Sequence, residues 1–105
     1  MASKQKLQIK RLNQTVDGYA HNDFLGLYLD PEDNLWRAVH IASGSDLEGP
    51  TGTWRKKRAC LAFISGLENM DWNIMSEAEM LDKNGGWDSV VEIYKAAVEL
   101  GREAE

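Results

Sequence analysis

The sequence predicts an α+β fold: an antiparallel sheet of about three strands packed by two main helices, about 53–68 and 87–102, and a short one, about 76–83. Three observations carry this. Apolar residues alternate along the amino-terminal part of the chain, the period-two pattern of strands. From Trp54 onward they recur three and four apart, the helical period. Between two of the alternating runs lies "DPEDN", Asp30 to Asn34, where proline pre-sets φ and Asp and Asn accept local backbone hydrogen bonds.

In chain order, "KLQIK" reads as a strand with Leu7 and Ile9 on one face, and the alternation slips at Leu12, as a bulge or a strand end would make it. "FLGLYLD" puts Leu25, Leu27 and Leu29 on one side and Phe24, Gly26 and Tyr28 on the other. After the turn at 30–34, "LWRAVHIA" resumes with Leu35, Val39 and Ile41 in phase. The two runs form a β-hairpin. Thr51 or Thr53 is positioned to cap a helix starting near Trp54. Cys60, Phe63, Ile64 and Leu67 make its buried stripe, widened by Trp54 and Leu61. Ser76 and Glu79 have capping-box spacing for the short helix, and Asn84-Gly85-Gly86 ends it. The last helix buries Trp87, Val90, Val91, Tyr94, Ala97, Val98 and Gly101. With the helices on one face of the sheet, Phe24, Tyr28, Trp36 and His40 are expected on the other.

With 105 residues the chain is expected to form one domain, 1–105, with enough apolar area for a core without staples. Cys60 is the only cysteine, which excludes an intramolecular disulfide framework and a multi-cysteine zinc site. The start shows no basic-then-apolar leader and no run is long enough to span a bilayer, so a cytoplasmic setting is expected. The net charge of −5 conceals blocks: four cations in 1–16, seven acids against Arg37 in 17–53, then Arg55, Lys56, Lys57 and Arg58, then ten acids against three bases from Leu67 on. Such alternation means the net value alone names no partner.

The stretch "GSDLEGPTGTWRKKR" resembles a phosphate cradle in spacing only. Pro50 stands where the essential lysine belongs and removes a donor, while Asp46 and Glu48 would repel phosphate. The Arg55–Arg58 cluster remains either an anion or nucleic-acid contact at a helix start or a solvated turn whose long stems cover apolar surface. His21 and His40 lack the spacing of a metal site, Cys60 sits on an apolar stripe, and the paired acids fall in turns and caps. No catalytic group, metal or cofactor is therefore expected.

Four tryptophans exceed what such a core requires. Trp54 and Trp87 fit helix core positions, whereas Trp36 and Trp72, with Phe24 and Tyr28, are candidate partner contacts. The leading expectation is a non-enzymatic, acidic protein-binding module, an inhibitor or adaptor acting on a larger protein or protein–nucleic acid machine. The alternative is nucleic-acid binding through the amino-terminal and 55–58 cations; a third is a subunit of a composite enzyme. A homodimer through the open sheet face is compatible with each, and no membrane partner is expected.

Overall fold

The computed structural model describes residues 6–10, 15–47 and 53–105. The slip at Leu12, the cap at Thr51, the loop glycine and proline at 49 and 50, and the cations Lys4 and Arg11 lie outside them. The chain runs β1 (Lys6–Lys10), β2 (Thr15–Ala20), β3 (Leu25–Leu29), β4 (Trp36–His40), β5 (Ser45–Asp46), β6 (Thr53–Trp54), α1 (Lys57–Ser65), α2 (Glu77–Lys83) and α3 (Trp87–Ala104). Four principal strands pair antiparallel in sequence order. The two-residue β5 and β6 both line the outer edge of β4. The predicted α+β architecture of an antiparallel sheet with helices against it is what the chain adopts, with more strands than the expected three.

The hairpin turns where "DPEDN" predicts. Asp30 N–H donates to the Leu35 carbonyl at 2.9 Å, and Asn34 N–H donates to the Asp30 carbonyl at 2.8 Å. Asn34 takes φ 59°, the left-handed geometry that asparagine tolerates. The Asp30 carboxylate also accepts from Glu32 N–H, and that of Asp33 from Leu35 N–H. This turn sets Leu29 opposite Trp36, Leu27 opposite Ala38 and Leu25 opposite His40.

The register corrects the expected faces. Trp36, Ala38 and His40 share a side with Leu25 and Leu27, under the helices, and Tyr28 shares the other side with Arg37 and Val39. Alternation along each strand is as read; how the two alternations combine is set by loop length, which sequence periodicity does not encode. Leu25 through Tyr28 are all buried, so both sides of the hairpin are closed.

Thr53 and Trp54 form a strand rather than the first turn of a helix. Trp54 pairs with Trp36, so the β4 edge gains backbone partners and the indole still reaches the core. Helix α1 consequently starts at Lys57, with Lys56 as an N-cap that makes no side-chain cap bond. Its stripe is as predicted: Cys60, Phe63, Ile64 and Leu67 are fully buried. Helix α3 packs against the end of α1 at Ala97, which lies over Gly66, and against the Trp54 indole at Gly101.

Candidate functional site

The four predicted contact residues do not form a surface. The Tyr28 ring is fully buried and its hydroxyl donates to Asp46 Oδ1 at 2.8 Å. Trp72 is buried as well; its indole N–H donates to the Leu67 carbonyl at 2.7 Å, which ties the bridge after α1 to the end of that helix. Trp36 is half-buried against Tyr19, ring centroids 6.3 Å apart, and closes the edge of the core. Phe24 alone of the four is exposed, at 39%. Tyr28 and Trp72 therefore leave the set of contact residues, and Trp36 offers only an edge.

The basic cluster is divided among local tasks. Lys57 Nζ lies 3.9 Å from the Tyr19 ring centroid and 5.6 Å from that of Trp36, a cation over two aromatic faces. Arg58 Nε donates to the Ala104 carbonyl at 2.8 Å, and the Arg55 backbone N–H donates to the Glu105 carboxylate at 2.7 Å. The Arg58 cation, which opposes the dipole at the start of α1, thus stands at the carboxyl end of α3, where positive charge is favourable. Lys56 is exposed. On β1, Lys6 pairs with Tyr19 and Lys10 with Thr15.

The two most exposed large apolar side chains lie elsewhere: Met75 at 80% and Trp87 at 63%, at the two ends of the α2 region, with Leu100 on α3 and Leu29 on β3 exposed to a lesser degree. Trp87 was expected in the core, but it is the first residue of α3, after Gly85 and Gly86 at φ 91° each. Between α2 and α3 runs an open groove of about 600 Å³, lined by Trp87, Met80, Leu81, Val90, Val91 and Val98. The charged residues along it are Glu77, Lys95, Glu99 and Arg102. Both cations have an acid three residues earlier: Lys95 Nζ is 3.8 Å from Glu92 and Arg102 3.2 Å from Glu99.

Helix α2, one wall of the groove, is short and buries none of its residues, so its ends must be held. Ser76 Oγ accepts from Glu79 N–H at 3.2 Å, as the spacing predicts, while the Glu79 carboxylate accepts from Met75 N–H at 2.9 Å. That bond, then Lys83, holds the Glu79 carboxyl below its ordinary range. At the other end the Asn84 amide accepts from Asp71 N–H and donates to the Asp71 and Met80 carbonyls. Lys83 Nζ donates to the Asn73 carbonyl at 2.8 Å. These bonds clip α2 onto the 71–74 bridge, which Trp72 and Ile74 bury into the core.

Opposite, on the turn side of the hairpin, Arg37 binds Asp30 at 3.0 Å and Asp33 through a second nitrogen. Burial alone would lower the guanidinium's pKa, but Asp33 and Asp30 outweigh it and raise it. This pairing staples the loop. Among the described residues no helix is long and apolar enough to cross a membrane. No protein-family model, curated protein or solved structure matches the chain.

Proposed function

We propose that the chain is a non-enzymatic protein-binding module, an inhibitor or adaptor, whose docking surface is the α2–α3 groove and whose occupant is a basic amphipathic helical segment of a partner protein. The observation that carries this reading is the Trp87 indole, 63% exposed on the wall of an apolar groove. Exposed tryptophan beside methionine and branched aliphatics is the composition of an interface anchor. A groove between two helices suits a third helix presenting apolar residues at i, i+3, i+4 and i+7.

Charge selects the kind of partner. From Leu67 on, ten acids face three bases, and each of those bases, Lys83, Lys95 and Arg102, is paired with a neighbouring acid on its own helix. The groove's own lining balances Glu77 and Glu99 against Lys95 and Arg102, and the excess of acids over the segment that builds it favours encounter with a basic segment. The nucleic-acid alternative has less support, because Lys57 and Arg58 are already engaged within the molecule. The lone, buried Cys60 suits a reducing compartment, so we place the interaction in the cytoplasm.

The test is fluorescence anisotropy with two labelled helical peptides sharing one leucine stripe, one filled with lysine and the other with glutamate. The lysine peptide is expected to bind, and Trp87→Ala to weaken it about tenfold or more. Trp87 is exposed, so its removal leaves the core intact. Equal affinities for wild type and Trp87→Ala, or no binding of the lysine peptide, overturn the reading.

A further inference from the structure

A second hollow, of about 380 Å³, shares Glu77, Met80 and Tyr94 as walls with the groove. Its walls divide by chemistry. Leu47, Trp72 and Ile74 are buried apolar residues, and Asp46 and Glu77 bring carboxylates. Among the described residues that line it there is no lysine or arginine. His40 completes the floor, with Nε2 2.9 Å from the Trp72 carbonyl and Nδ1 2.8 Å from the Ser43 hydroxyl.

A hollow with apolar walls and carboxylates among its lining, Asp46 already accepting from the Tyr28 hydroxyl and Glu77 exposed, fits a side chain with a greasy stem and a cationic head. Resting on the groove reading above, we infer that this hollow receives one long cationic side chain, lysine or arginine, of the docked segment, with its stem along Trp72, Ile74 and Met80 and its head toward Asp46 and Glu77. The hollow would then set which basic helices bind, while the groove supplies the bulk of the apolar contact. Tyr94 lines both spaces and feels the Glu77 charge: burial first, and that carboxylate second, push its pKa up to about 12.

A phage-displayed library of helical peptides with a fixed leucine stripe and all other positions varied would be selected against wild type, Glu77→Gln and Trp87→Ala. Glu77 is exposed and outside the Ser76 cap bond, and thermal melts would verify that Glu77→Gln is folded. The expected result is enrichment of arginine or lysine at one position beside the stripe, lost on Glu77→Gln. Exchanging that residue for citrulline or norleucine in a synthetic peptide should weaken wild-type binding about fivefold or more and leave Glu77→Gln binding nearly unchanged. Trp87-dependent binding with no preferred cationic position, or a preference indifferent to Glu77→Gln, overturns the inference and leaves the groove reading standing. Absence of any Trp87-dependent binder overturns both.

Discussion

Gly101 is where α3 admits the Trp54 indole: a Cβ there would stand 2.5 Å from the ring carbon Cη2 and 2.7 Å from Cζ3. Two effects of Gly101→Ala oppose each other. Alanine gains about 1 kcal/mol of helix propensity over glycine, while forcing a methyl into a filled core costs about 1–3 kcal/mol. The indole is only 2% exposed and rests on Phe63, with ring centroids 5.5 Å apart, so it has nowhere to retreat. Packing therefore wins. Gly101→Ala is expected to lower the melting temperature by several degrees, at about 4–8 °C per kcal/mol; a thermal melt at or above wild type would refute the close approach. The Trp54 Nε1–H is buried without a hydrogen-bond partner among the described residues, at a cost of about 1–3 kcal/mol. Burying this ring thus outweighs satisfying its one polar atom.

Helix α2 is the element on which the groove depends, and it is the least anchored by packing. Seven residues are too few to be stable alone, and none of them is buried. Its persistence rests on the Ser76 cap, the Glu79 bond to Met75 and the Asn84 clip to Asp71. Ser76→Ala should therefore cost about 1 kcal/mol, mostly as local opening. Hydrogen exchange should quicken across Glu77–Lys83 while the α1 and α3 core amides keep their protection. Equal quickening of all three helices would show that α2 unfolds only with the rest. Helices α1 and α3 differ in kind: their shared face buries Cys60, Phe63, Ile64, Ala97 and Val98, so they report global unfolding. Arg58 on the Ala104 carbonyl adds a polar latch at one end of that pair.

For the molecule as a whole, alkaline pH is the informative stress. Burial pushes the Cys60 thiol from its ordinary 9.0 to about 12, and Tyr94 rises from 10.0 to about 12. Both groups are neutral when protonated, so above about pH 9 the unfolded chain gives up protons that the folded chain keeps. Stability present below that pH is lost as pH rises toward about 12. Urea denaturation across this window should show a falling free energy of unfolding, with a shallower slope in Cys60→Ala than in wild type. Equal slopes would mean the thiol is not desolvated. Much of this core was legible in the residues: the stripe on α1, the cap at Ser76, the Gly85-Gly86 break and the turn at 30–34 are local patterns whose physics acts within a few positions. The candidate site was not. Trp72 and Tyr28 look like spare aromatics until the bridge after α1 and the hairpin register close over them, and Trp87 looks like core on its helical face until tertiary packing leaves the first residue of α3 uncovered. A groove belongs to no single segment; it exists in the spacing between α2 and α3, which long-range packing sets and short-range periodicity cannot express.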